Sequence, residues 1–417
     1  MPGDRRSTAL QRLAELIRSN EQMLLSRNNK DLTAQKSKLP APLYGRLSLT
    51  SEKIRTVAAG IDELVHLEDP IGVVERKTEL DEGLILDRVT VPLGVICIIF
   101  ESRPDVIPQV LSLCLRTGNA CVLKGGTEAA HSNAAFMKLI TQLNEEMDLP
   151  RNWATLIETR AHVSEVLKHD DLVDLVIPRG SNALVRSVME QTRIPVLGHA
   201  EGICHAFVHE SANLGKAIDL ISEAKAEYPS ACNSIETLLV DQNIADIFLP
   251  QWSRRARALR IALRACGKSI VALPGASLAK ETDWATEYSD LILNVRVVRD
   301  IHEAISHIHQ YGSSHTDMIL AEDSEAAERF LSEVDSASVM WNATTRFADG
   351  FRYGFGAEIG ISTSKTHARG PVGMGGLLSI KYLLRGKNHR VQDYSGDDAR
   401  VYSHRDLTAK RHTTPTG

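Results

Sequence analysis

The chain is expected to fold as an α/β protein with two parallel-sheet units and a small β element projecting from them. Three observations predict this. Runs of strand length that are apolar on both faces recur from residue 95 onward, each followed by a turn and a helical pattern, as in a parallel sheet covered by helices on both sides. Segments 73–80 and 84–91 alternate and are joined by Asp-Glu-Gly, as the two arms of a hairpin. A length of 417 residues exceeds what one ordinary core absorbs.

Residues 7–66 read as helices, broken at Leu-Pro-Ala-Pro over 39–42. In the first of them Leu10, Leu13, Leu16 and Ile17 form a helical stripe, and Asp4, Glu15 and Glu21 interrupt the basic residues, so a folded amphipathic helix is expected instead of a transit peptide. The hairpin that follows suits either an ordinary sheet edge or pairing with another subunit. Strands are then expected at 94–100, 119–124 and 171–177, with further strands at 194–197 and 204–208 joining them. Ligands of such sheets bind beyond the carboxyl ends of the strands, so the turns 101–105, 124–127 and 178–182 should share one crevice. A second unit over 228–360 contains strands at 235–240, 289–295, 317–320 and 337–341, with helices around 247–264 and 301–310. Segment 351–360 is too rich in glycine for regular structure. The polar stretch 387–417 reads as a flexible tail.

Composition narrows the function. A net charge of −5, a pI near 6.3 and only 5% aromatic residues argue against nucleic acid as a partner. No apolar run is long enough to span a bilayer. Six cysteines without a CxxC pair suggest reduced thiols in a cytoplasmic protein. No metal site is expected, because His302, His307, His309 and His315 lack supporting ligands. Cys232 stands out. It lies in a short loop between a helical pattern and a β-branched apolar run, where a thiolate would be exposed at fixed geometry.

Seven ordered blocks carry a family resemblance: 91–95 (VPLGV) with 100–104 (FESRP), 118–120 (GNA) with 123–126 (LKGG), 174–181 (DLVIPRGS), 231–239 (ACNSIETLL), 334–337 (VDSA), 342–350 (NATTRFADG) and 367–373 (HARGPVG). From about residue 24 to 386 the chain resembles the γ-glutamyl phosphate reductases, the proline-biosynthetic branch of the aldehyde dehydrogenase superfamily. In wording such as 197–205 (LGHAEGICH) it is similar to the reductase half of bifunctional pyrroline-5-carboxylate synthases. No kinase half is present, so a separate glutamate 5-kinase is implied as pathway partner. The amino terminus is shorter and the polar tail longer than in that family.

The resemblance implies an aldehyde dehydrogenase-like fold of two Rossmann-like domains. Residues 1–227 would hold the dinucleotide, with 73–91 as an oligomerisation arm. Residues 228–360 would be catalytic, and 361–386 would return to the cofactor domain. It implies NADPH-dependent reduction of L-glutamyl 5-phosphate to L-glutamate 5-semialdehyde by a homo-oligomer, through a thioester on Cys232. Ser102 falls near the superfamily's oxyanion-hole residue. Lys124, Pro178, Gly180, Ser181 and Glu287 fall where the cofactor is held. Arg103, Asn342, Thr344 and Arg346, with Arg369 a further candidate, would bind substrate. Oxidising relatives need a carboxylate base upstream of the cysteine. The matching place, 195–198, has no acid, although Glu201 is near. Two rival readings are an acylating dehydrogenase using a coenzyme A thioester and a non-catalytic descendant.

Overall fold

A computed structural model describes residues 1–198, 201–355 and 357–408. Four helices, Gly3–Ser19, Glu21–Gln35, Ala41–Leu47 and Ser51–His66, precede a four-stranded parallel sheet ordered Ala154–Leu156, Ala120–Lys124, Val95–Phe100, Leu175–Arg179. The strand at 95–100 shows why no polar alternation was visible. Ile96, Ile98 and Phe100 enter one core with the amino-terminal helices, while Cys97 and Ile99 enter another with Leu167, Val176 and Val188. Both faces are dry, and each large side chain so buried contributes about 1.5–3 kcal/mol relative to exposure. Helix Val106–Thr117 ends where Gly118 turns left-handed at φ 71° and returns the chain to the next strand.

The second sheet has seven parallel strands, ordered Ser277–Leu278, Ala262–Ala265, Ile292–Val298, Ile235–Asp241, Cys204–Val208, Thr316–Leu320, Ser338–Trp341. Strand 204–208 therefore does not join the first sheet, as the sequence suggested. Cys204, Ala206 and Val208 pack into the core of helix Gln242–Ala258, and Phe207 into that of helix Ile301–Tyr311. A largely apolar strand, here with one buried histidine, His205, held 2.9 Å from Asp317, signals burial but not which sheet buries it. Among the described residues, 194–197 is tied to the first sheet by packing of Ile194 and Leu197 and by a single backbone bridge, Val176 to Val196, and does not form the expected strand. The expected helix 247–264 also shifts. It starts at Gln242, where Asp241 caps it, and Ala262–Ala265 is a strand because Arg260 takes φ 58° and ends the helical turn.

The hairpin, Val74–Asp81 and Leu84–Pro92, turns at Gly83 (φ 74°) and pairs with Leu378–Arg385 into an antiparallel arm. The tail departs from expectation up to residue 408. Arg405–Asp406 pairs with Thr78 and Glu79, Tyr394 donates a 2.9 Å hydrogen bond to Asp81, and Tyr394 stacks on Tyr402 at 4.3 Å. Its arginines are not merely solvated: Arg400 pairs with Asp81 and Arg405 with Glu79, each at 2.5 Å. The remainder of the tail, 409–417, lies outside the described residues. Among the described residues, no helix is long and apolar enough to cross a membrane.

Candidate active site

The first sheet presents the carboxyl ends of its strands to a cleft of about 600 Å³, and the second presents loops that precede its strands. On the first side, Glu101 clasps the turn after Leu175–Arg179. Its N–H donates to the Arg179 carbonyl at 3.0 Å and its carboxylate accepts the Ser181 N–H at 2.9 Å. Gly180 lets both side chains come this close. A Cβ there would fall 2.5 Å from Glu101 Oε2 and 2.7 Å from Leu184 Cδ2. Ser181 then caps helix Asn182–Gln191 by accepting the Leu184 N–H at 3.4 Å, and the start of that helix, Asn182 and Ala183, lines the cleft as helix amino ends that receive anions do.

On the second side Cys232 lies half-exposed in the loop between helix Leu214–Ala226 and strand Ile235–Asp241. Two tight turns form the loop, Ala231 N–H to the Tyr228 carbonyl and Ser234 N–H to the Ala231 carbonyl, both 3.0 Å. Its neighbours are fixed as well. Asn233 donates to the Ala348 carbonyl at 2.9 Å, and the buried Cys204 thiol donates to the Cys232 carbonyl at 3.3 Å. Gly202 lies flat on that carbonyl, since a Cβ would stand 2.1 Å from its oxygen. Of the six cysteines only Cys232 lines the cleft.

Charge is distributed unevenly around the thiol. Arg103 and Arg179 line the cleft, and among the described residues neither guanidinium has a hydrogen-bond or ion-pair partner. Burial pulls the Arg179 guanidinium down to about 10, Arg103 adding repulsion while Glu358 opposes the shift, so it remains cationic at neutral pH. Arg346 also lines the cleft but is engaged, holding Glu227 at 2.7 Å and Asn233 beside the thiol. Arg46 reaches from the amino-terminal helices to the Ser230 carbonyl at 3.4 Å. Glu287 receives the Asn182 amide at 3.4 Å across the cleft. Its loop is anchored where the Ser289 N–H meets Glu236 at 3.3 Å, and Glu236 in turn holds the buried Lys225 at 2.7 Å.

The cleft thus gathers Cys232, Arg103, Pro178, Gly180, Ser181, Glu287 and Arg346 from the residues singled out in the sequence. Others lie elsewhere. Ser102 is buried at φ 47°, a conformation that aims its N–H and its hydroxyl at Glu128 (2.6 and 2.9 Å) and not at the cleft. Lys124 donates to the Gly125 carbonyl at 2.7 Å and sits at the sheet's carboxyl edge outside the cleft lining; burial lowers its pKa. Asn342 (φ 51°) spends its amide on the Ala321 backbone, and Thr344 caps the turn Thr345–Phe347. Arg369 pairs with Asp335 at 2.9 Å. Glu201 pairs with Arg186 and does not line the cleft. Arg179, Arg46, Gly202 and Glu358 were missed. Only Arg179 carried a signal, its place inside the quoted Pro178-to-Ser181 turn. Among the described residues no group of three His, Cys, Asp or Glu side chains is arranged to hold a metal ion.

The model of the aldehyde dehydrogenase family matches residues 1–266. A γ-glutamyl phosphate reductase of Acetivibrio thermocellus is 50% identical over 391 residues, which is 94% of this chain and 90% of that protein. One of Pelotomaculum thermopropionicum is 47% identical, over 96% of this chain and 92% of its own. The crystal structure of γ-glutamyl phosphate reductase from Thermotoga maritima superposes with a TM-score of 0.90 at 38% identity, covering 94% of this chain and 95% of that one.

Proposed function

Because the chain belongs to the γ-glutamyl phosphate reductases of the aldehyde dehydrogenase family, we propose that it reduces L-glutamyl 5-phosphate to L-glutamate 5-semialdehyde, with NADPH as reductant and Cys232 as covalent carrier, in proline synthesis. The observation that carries this reading is the pairing of the cleft's one thiol with two unpartnered guanidinium groups. An acyl phosphate brings a dianionic leaving group and an α-carboxylate, and guanidinium forks match both.

The Cys232 thiolate attacks the γ-carbonyl carbon. The C–S bond forms, the C–O bond to phosphorus breaks, and inorganic phosphate leaves with the bonding pair. Arg103 and Arg179 hold the anionic groups and offset the charge that leaves. The N–H of Cys232 is the proposed donor to the carbonyl oxygen, a role Ser102 is not free to fill. NADPH held along the first sheet's edge would supply the hydride that reduces the thioester carbon. The C–S bond then breaks, Cys232 keeps the pair, and the aldehyde departs.

Residues of the first sheet's edge fit the cofactor. Gly180 leaves the backbone bare beside the cleft, the start of helix Asn182–Gln191 offers N–H groups for phosphate, and Glu287 presents a carboxylate suited to a ribose diol. Lys124 would meet the adenosine end at the sheet's edge. With Glu201 tied to Arg186 and no acid over 195–198, water lacks an upstream base, and the thioester would survive until reduction. A homo-oligomer joined through the arm, whose Val74, Tyr382 and Leu384 are exposed, and a separate glutamate 5-kinase complete the proposal. The test runs in reverse: pyrroline-5-carboxylate, NADP and phosphate should yield NADPH. Coenzyme A sustaining the rate in place of phosphate would overturn the phosphate assignment.

A further inference from the structure

The reaction as written has no use for Glu358, a carboxylate in the same cleft as Cys232. It is held stiffly. One oxygen accepts the Gly350 N–H at 2.8 Å, and the side chain lies so close on that glycine that a Cβ at 350 would stand 2.7 Å from the Glu358 Cβ. Among the described residues its other oxygen accepts no hydrogen bond and no cation lies within ion-pair distance, although the charge of Arg179 is felt there. Burial accordingly lifts its pKa above the usual carboxylate range. A partly desolvated carboxylate with one hydrogen bond is costly unless a cation completes it.

The cleft wall therefore carries unpartnered guanidinium groups and an under-satisfied carboxylate beside one thiol. That layout is complementary to an α-amino acid head, with carboxylate to Arg103 or Arg179 and ammonium to Glu358, while the γ-carbonyl carbon faces Cys232. In an extended glutamyl group the α-nitrogen stands about 5 Å from the γ-carbonyl carbon, so one cleft spans both ends. We propose that Glu358 is the receptor for the substrate's α-ammonium group and makes the site select α-amino acid substrates over their des-amino analogues. This rests on the reaction proposed above.

The test compares glutamate 5-semialdehyde, supplied as pyrroline-5-carboxylate, with 5-oxopentanoate, which lacks the amino group, each with NADP and phosphate. Glu358→Gln keeps an acceptor for Gly350 and should lower kcat/KM for the amino aldehyde by about 10- to 100-fold, mainly through KM, while changing that for 5-oxopentanoate less than about threefold. An equal loss for both aldehydes, as expected of a structural residue or a general base, overturns the proposal, and so does no loss for either. Should the variant not fold, the parent enzyme decides. After correction for the open-chain fraction it should favour the amino aldehyde by at least about 100-fold, and a ratio near one overturns the assignment. If the parent enzyme turns over neither aldehyde, the reaction itself has been misassigned.

Discussion

The four-stranded sheet meets the cleft with the carboxyl ends of its strands, and the seven-stranded sheet with the amino ends of its own. The first edge ends in turns, 101–105 and 178–182, that bring the Arg103 and Arg179 guanidinium groups and the start of helix Asn182–Gln191 to the cleft. The second edge begins with loops, 228–234 and 287–289, whose backbone is already spent on holding itself. Cys232 is pinned by Cys204, Asn233 and Gly202, and Glu287 by the Ser289 contact to Glu236. Under the proposed reaction the first edge would receive the ligand and the second would fix the reacting thiol. Loss of function should differ accordingly: binding on the first side, turnover on the second.

The sharpest test lies on the second edge. Cys232→Ala should lower turnover by about 10⁴-fold or more while leaving Tm within a few degrees, because the side chain is small and lies partly exposed at the cleft. Gly202→Ala comes next. Its methyl would push into the Cys232 carbonyl, so kcat should fall about 100-fold from displacement of the thiol, with a stability loss of about 1–3 kcal/mol by chemical denaturation. A Gly202→Ala enzyme with unchanged kcat would mean that the loop's position does not matter.

On the first edge, Arg179→Ala should raise KM for the semialdehyde about 10- to 100-fold with a smaller change in kcat, read by steady-state kinetics. An effect confined to kcat would erase the distinction between the edges. The smallest expected effect concerns the anchor of the 287–289 loop. Burial raises the Glu236 carboxyl to about 7, against about 4.3 when unfolded. A carboxyl of this kind stabilises the fold fully below its unfolded pKa and loses that contribution as pH rises through the folded one. Stability relative to a Lys225→Met/Glu236→Gln variant should therefore decline from about pH 4.5 to about pH 7, and a flat difference would show that Glu236 does not titrate in that window.

The same contrast explains what the sequence disclosed. Strand 95–100 and its turn were legible because burial on both faces and a following Pro and Asp are local signals. The loop position of Cys232 was legible because a thiol between helix and strand patterns is local too. Gly202 and Arg46 act on the Cys232 loop from just before strand Cys204–Val208 and from the amino-terminal helices, and such long-range neighbours leave no periodicity. Arg179 was passed over because the turn around it was read for its backbone, and Glu358 because segment 351–360 was read only for its glycines. Ser102 takes a left-handed φ of 47° and gives its hydroxyl to Glu128, and nothing in Glu-Ser-Arg-Pro announces that conformation.

Omitting phosphate from the reverse reaction tests the central claim most directly, since an acyl enzyme then has nothing to discharge it. Pyrroline-5-carboxylate and NADP, quenched in acid and analysed by peptide mass spectrometry, should leave a glutamyl group on the peptide containing Cys232, and adding phosphate before the quench should remove it. Steady NADPH formation with phosphate but no adduct without it, or an adduct on another cysteine, would contradict the account.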